Sequence, residues 1–230
     1  MRDPENIRAV EEMVHPDMMG FIFWQGSKRY VSEVPSYLPK CTRVGVFVNP
    51  TEEEVMQKVK DFGLNAIQLH GEETPDFCRR IKSTTGLPII KAISVDTNNN
   101  EQLIINNSRL STEEQCSMFN AEGVASEMRE QSGNVQCSMF EEIADFFLFD
   151  TKCKCVGGSG EQFNWDILQS YQGNTPFLLS GGIGPGDEEK VRRWRHPKCI
   201  GIDLNSRFET APAYKDTEAL IKFKRSVIRD

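Results

Sequence analysis

Short apolar runs alternate along the chain with longer amphipathic stretches, and the runs keep ending in a polar residue or a glycine. Residues 21–23 lead into Ser27-Lys28-Arg29, and Ala66–Leu69 ends in His70-Gly71. Residues 146–149 end in Asp150, and Phe177–Leu179 in Ser180-Gly181-Gly182. Cys199–Ile202 ends in Asp203, with Asn205-Ser206 close behind. Strands buried on both faces read as continuous apolar runs, and parallel strands need helical crossovers. Polar groups at the C-terminal ends of such strands are how the mouth of a (β/α) barrel is written in sequence.

The pattern predicts strands over 18–23, 43–48, 66–69, 87–93, 146–149, 176–179 and 199–203. Helices are predicted over 4–14, 52–62, 75–81, 164–171, 185–194 and 216–228. Asp3-Pro4 reads as an N-cap followed by proline in the first turn, and Gly63 as a C-terminal stop. The fold class is α/β, and the expected architecture is a single-domain (β/α)8 TIM barrel over residues 1–230. Seven strands are evident where a closed barrel of this kind has eight. The chain opens on a helix, so the first strand is expected to be missing. Residues 97–142 read as an insertion, too long for an ordinary connection and rich in Asn, Ser, Glu and Gln. It carries the pentapeptide Gln-Cys-Ser-Met-Phe twice, at 115–119 and 136–140, with a helix expected at one end packing Met139 and Phe140.

Composition narrows the class. The 230 residues are 38% hydrophobic and 27% charged, the balance of a globular protein with a full core. A net charge of -7 without a dominant basic face argues against a nucleic-acid partner but leaves room for a small anionic substrate. No apolar run is long enough to span a bilayer, and the acidic, polar start is no signal peptide. Seven cysteines, odd in number and scattered, fit a reducing cytoplasmic compartment. Cys153 and Cys155 form a lone C-x-C, too little for a metal site, so no metal is expected.

Chemistry-bearing residues cluster at the predicted strand ends. Gly157–Gly160, including Gly158, then Gly181 and Gly182, and finally Asn205 and Ser206 together fit a phosphate site built from backbone N–H groups of late barrel loops. Asp150 ends an all-apolar strand, where desolvation can raise a carboxyl into the range of a general acid. A helix cap or a partner for Lys152 is the plainer role. Arg29, in the loop after a strand, has the planar fork for bidentate capture of a carboxylate. His70 and Asp203 either position substrate or bond loop backbone.

In chain order, Met-Arg-Asp-Pro-Glu-Asn at 1–6, Gly20-Phe21-Ile22-Phe23 with Ser27-Lys28-Arg29-Tyr30, the segment from Val44 to Asn49, and Gln68-Leu69-His70-Gly71-Glu72 form one set of motifs. Asp150-Thr151-Lys152, Gly157-Gly158-Ser159-Gly160, Ser180-Gly181-Gly182 and the segment from Gly201 to Ser206 complete it. Together they resemble the phosphoribosylanthranilate isomerases of tryptophan biosynthesis. The resemblance implies a TIM-barrel isomerase without a cofactor, a monomer or homodimer acting on a small phosphorylated substrate. It implies an Amadori rearrangement of N-(5'-phosphoribosyl)anthranilate, with Asp150 as acid, Arg29 on the anthranilate carboxylate, and Gly158, Gly181, Gly182, Asn205 and Ser206 around the phosphate. In that family a first strand ending in Lys-x-Cys-Gly supplies the general base, and this chain starts after that motif. The chain as given is therefore expected to isomerise poorly or not at all. Arg207 stands where many relatives carry a smaller residue. The alternatives are another phosphate-binding barrel, such as an indole-glycerol-phosphate synthase-like enzyme with Lys91 as its lysine, or a non-catalytic barrel.

Overall fold

In the computed structural model, residues 1–95, 137–151 and 162–228 are described. The helices begin and end where local chemistry satisfies their terminal backbone groups. In α1 (Pro4–Val14) the Asp3 carboxylate accepts from Asn6 N at 2.7 Å, and Ile7, Val10 and Val14 are buried. In α2 (Glu52–Phe62) Thr51 and Glu54 form a reciprocal capping box, and Gly63 closes the helix at φ 56°. Thr74 caps α3 (Pro75–Thr85), which Gly86 ends at φ 66°. This helix runs four residues beyond the expected end, because its stop is Gly86 rather than anything near Ile81.

Seven parallel strands form one sheet in chain order: β1 (Met18–Ile22), β2 (Thr42–Phe47), β3 (Ala66–Leu69), β4 (Ile89–Val95), β5 (Phe146–Thr151), β6 (Phe177–Leu179) and β7 (Cys199–Ile202). That order, each strand beside its predecessor, is the wall of a (β/α) barrel. Among the described residues β1 and β7 are the two edges and do not pair.

Register decides which residues face the mouth. Residues opposite one another in a parallel ladder share a face, and the face alternates along each strand. Gly20 pairs with Val44, Val44 with Ala66, Gln68 with Ile90, Ala92 with Leu148, and Leu148 with Leu178. This inner face carries a small apolar cluster of Val44, Ala66, Ile90, Ala92 and Leu148. The opposite face, with Phe47, Ile67, Leu69, Ile89, Ile93, Phe147, Phe149 and Phe177, packs into the large core beneath the helices. Asp150, opposite Ser94, belongs to the inner face by the same alternation.

Several boundaries moved. β4 begins and ends two residues later than expected, drawn along β5 as far as Val95 opposite Thr151. β5 therefore extends through Asp150, which lies on the strand and not after it. Residues 165–170 form a 3-10 helix. The helix expected over 185–194 is only α4 (Glu188–Arg193). Gly186 sits at φ 100°, outside the helical region, and the Asp187 carboxylate turns back to Gly184 N at 2.8 Å. Residues 137–140 are helical, with Cys137 and Phe140 buried and Met139 packed beside them. The rest of the segment to Gln136 lies outside the described residues. After β7 come a 3-10 turn (Ser206–Phe208), an unforeseen antiparallel hairpin of β8 (Glu209–Ala211) and β9 (Tyr214–Lys215), and the closing α5 (Thr217–Val227).

Candidate active site at the strand ends

At the C-terminal ends of β3, β5, β6 and β7 the inner face turns polar. His70 follows β3 and its Nε2 lies 3.3 Å from Asp150 Oδ2. The other oxygen of Asp150, Oδ1, accepts from Thr151 N at 2.9 Å. Burial alone would lower the His70 pKa, but the hydrogen bond and charge of Asp150 outweigh it and raise it above the usual 6.5. Ser180, following β6, donates from Oγ to Asp203 Oδ2 at 3.1 Å. Burial raises the Asp203 carboxyl; Lys215 opposes the rise and Asp150 adds to it. Two half-buried carboxylates, an imidazole and a hydroxyl thus meet at one end of the sheet. One imidazole is held toward its charged form, and one carboxyl is held toward its neutral form.

The glycine loop after β6 is built against Asp150. Gly181 has φ 88°, and a Cβ there would lie 2.5 Å from Thr151 Oγ1, 3.1 Å from Thr151 N and 3.3 Å from Asp150 Oδ1. Glycine alone lets the loop approach the carboxylate this closely. Gly182 follows at φ 65°, its carbonyl accepting from Gln162 Nε2 at 2.9 Å and Arg207 Nη1 at 3.0 Å. Arg207 thereby joins the loop of Gly181 and Gly182 to the turn of Asn205 and Ser206. Gly181 and Gly182 are thus linked to the turn of Asn205 and Ser206 through Arg207, while Gly158 lies outside the described residues.

Arg29 meets a carboxylate of the chain itself. Its Nε lies 3.0 and 2.8 Å from the two Glu209 oxygens, and its Nη2 lies 2.7 Å from Oε2. Lys215 Nζ donates to Leu204 O at 3.2 Å, Asn205 O at 2.9 Å and Asn205 Oδ1 at 2.9 Å, and lies 3.3 Å from Glu209 Oε1. Burial alone would raise the Glu209 carboxyl, but Arg29 and Lys215 hold it below the usual range. Sequence reasoning missed Glu209 and Lys215, because the hairpin that pairs them was not foreseen. The sole local signal was Pro212, three positions from each of Glu209 and Lys215.

Lys91 faces neither a phosphate loop nor solvent. It lies on the helix side of β4, 1% exposed, paired with Glu73 at 2.9 Å and donating to Leu69 O at 3.3 Å and Gly71 O at 2.7 Å. Glu73 in turn accepts from Asn49 N at 2.9 Å and Gly71 N at 3.0 Å. The pair braces the loop carrying His70. Cys153 and Cys155 lie outside the described residues. No helix among the described residues is long and apolar enough to cross a membrane.

Fold and site together define a parallel (β/α)-barrel protein with an acid–imidazole pair beside a glycine loop at its strand ends. The family described as N-(5'phosphoribosyl)anthranilate (PRA) isomerase matches residues 3–123 and 112–226. The N-(5'-phosphoribosyl)anthranilate isomerase of Phocaeicola vulgatus is 46% identical over 224 residues, covering 97% of this chain and 92% of that protein. The crystal structure of phosphoribosyl anthranilate isomerase from Thermotoga maritima aligns with a TM-score of 0.67 at 26% identity, over 99% of this chain and 95% of that one. A phosphoribosyl anthranilate isomerase in complex with reduced 1-(o-carboxyphenylamino)-1-deoxyribulose 5-phosphate aligns with a TM-score of 0.59 at 25% identity, over 99% of this chain and 98% of that one. The chain belongs to the phosphoribosylanthranilate isomerase family.

Proposed function

We propose that this chain binds N-(5'-phosphoribosyl)anthranilate and catalyses its Amadori rearrangement to 1-(2-carboxyphenylamino)-1-deoxyribulose 5-phosphate, in tryptophan biosynthesis. Asp150 gives a proton to the ribose ring oxygen and the ring opens. A base then takes the proton from C2′, and the resulting enol becomes the ketone. The observation that carries the reading is the His70–Asp150 contact of 3.3 Å, on the same end of the sheet as Gly181 and Asp203. His70 holds Asp150 in place and, once charged, offers it a proton. Gly181, Gly182, Asn205 and Ser206, with Gly158, surround the phosphate with backbone donors. Arg29 takes the anthranilate carboxylate, and Asp203 with Ser180 lines the sugar. The substrate is a small phosphorylated molecule, the reaction uses no cofactor or metal, and the protein works in the cytoplasm as a monomer or homodimer, without a nucleic-acid or membrane partner.

The described cysteines do not supply the base. Cys41 precedes β2 and Cys199 opens β7, both at the wrong end of their strands, while Cys78 lies on α3 and Cys137 on the helical turn. Burial pushes the thiols of Cys41 and Cys78 up to about 11 and that of Cys137 to about 12, and it also raises Cys199. On this reading the base is not one of the described cysteines, and a general base is worth roughly 10²–10⁴-fold in rate. The indole-type alternative is disfavoured because Lys91 is spent in its buried pair.

Calorimetric titration tests the substrate class. The reduced carboxyphenylamino-deoxyribulose phosphate is expected to bind at least tenfold more tightly than sugar phosphates bearing indole or imidazole. Equal or reversed affinities would reject the anthranilate reading.

A further inference from the structure

The Arg29 guanidinium has two usable edges, a side edge of Nε with one terminal nitrogen and an end edge of the two terminal nitrogens. Glu209 occupies the side edge through Nε and Nη2, at 2.7–3.0 Å. Its side chain is 4% exposed. It is fixed from the other side as well. Glu209 and Lys215 face each other across the β8–β9 hairpin, and Lys215 Nζ reaches both Glu209 and Asn205. The hairpin itself is anchored to α1. The buried Asn6 side chain donates from Nδ2 to Lys215 O at 2.9 Å and accepts from Lys215 N at 2.8 Å. From α1 to Arg29, every link is a buried or half-buried hydrogen bond between groups of fixed geometry.

We propose that Glu209 is a positioning residue for the substrate carboxylate: by holding the side edge of Arg29, it leaves the end edge as the one offered to the ligand. The inference rests on the reading of Arg29 as the anthranilate subsite and adds how that subsite is set. A free arginine carries several rotatable bonds that binding must freeze at an entropic cost. Glu209 freezes them in advance. Lys215, shared between Glu209 and Asn205, ties the carboxylate end to the turn assigned to the phosphate. The arrangement therefore selects ligands that carry both anions at a fixed separation.

The test compares two ligands on three proteins. The ligands are the reduced carboxyphenylamino-deoxyribulose phosphate and its phenylamino counterpart without the carboxylate. The proteins are the unaltered chain, Glu209→Gln and Glu209→Asp, each checked for fold by circular dichroism. The unaltered chain should prefer the carboxylate ligand at least tenfold. Glu209→Gln should lose most of that preference while binding the phenylamino ligand within twofold of the unaltered chain, and Glu209→Asp should restore part of it. If Glu209→Gln does not fold, Glu209→Asp alone decides, since a carboxylate one methylene shorter should still reduce the preference. Tighter binding of the carboxylate ligand by either variant would make Glu209 a competitor for Arg29 and overturn the proposal. Equal losses for both ligands would make Glu209 merely structural and overturn it too. Absence of preference in the unaltered chain would reject the Arg29 reading itself, and the positioning role with it.

Discussion

At the scale of single residues the site is a matter of which groups hold protons. His70 is raised by Asp150 above its ordinary 6.5. A group whose folded pKa is raised contributes stability that is complete below the unfolded value and is lost as pH rises through the folded value. The ring protons of His70, followed by NMR, should therefore titrate above 6.5 in the unaltered chain. In Asp150→Asn the main opposition to burial is lost, and the midpoint should fall below that of the unaltered chain; an unchanged midpoint would dissociate the two residues. Gly181 makes a second prediction. At φ 88°, with a Cβ meeting Thr151 at 2.5 Å, Gly181→Ala should cost about 1–3 kcal/mol of stability. It should also displace the loop from Asp150, which thermal melting and a loss of analogue affinity would register together. The placement of the strand-end residues was largely legible in the sequence. Asp150, His70 and Asp203 all stand directly after apolar runs, and strand alternation brings them to one face. The engagement of Arg29 was not legible. Its partner lies 180 positions away, on a hairpin whose turn holds Ala213 at φ 67°, a conformation that sequence reading reserves for glycine or asparagine.

Elements carry these residues into place, and their limits are set by chemistry next to the strands. Helix starts were readable because Asp3, Thr51, Thr74 and Asp216 are capping residues and act as such. The extent of β4 and β5 was not, since pairing between them, and not propensity, carries both strands to Val95 and Thr151. The turn between β3 and α3 depends on the buried Lys91–Glu73 pair, with side chains 1% and 2% exposed. Removing one member of such a pair leaves an uncompensated buried charge. Lys91→Met should therefore destabilise the protein by about 3–5 kcal/mol in urea unfolding. Lys91→Met with Glu73→Leu should recover much of that loss. If the single substitution were nearly neutral, the pair would not brace the His70 loop.

Across the whole molecule, the notable feature is the seam between β1 and β7. The seven-strand pattern foresaw it, and the two edges do not pair among the described residues. Side chains span the seam instead. Arg29 in the loop after β1 reaches Glu209 after β7, Asn6 of α1 holds Lys215, and Lys224 of α5 donates to Val14 O and His15 O at 2.8 and 2.9 Å. Glu209 is held below its ordinary 4.5, so its contribution is complete above that value and is lost as pH falls through the folded one. The unaltered chain should melt progressively lower below pH 4.5. Glu209→Gln should melt lower at pH 7 and show a flatter acid limb; parallel acid limbs would remove Glu209 from the seam's energetics.

The central claim is that this chain is an isomerase of its family's substrate, with Asp150 as the acid and no base among the described cysteines. Turnover of N-(5'-phosphoribosyl)anthranilate, followed by the loss of its fluorescence, tests it most directly. The chain should turn over this substrate, and Asp150→Asn should lower that turnover by roughly 10²–10⁴-fold. Absence of turnover in the folded chain, or turnover untouched by Asp150→Asn, would contradict it.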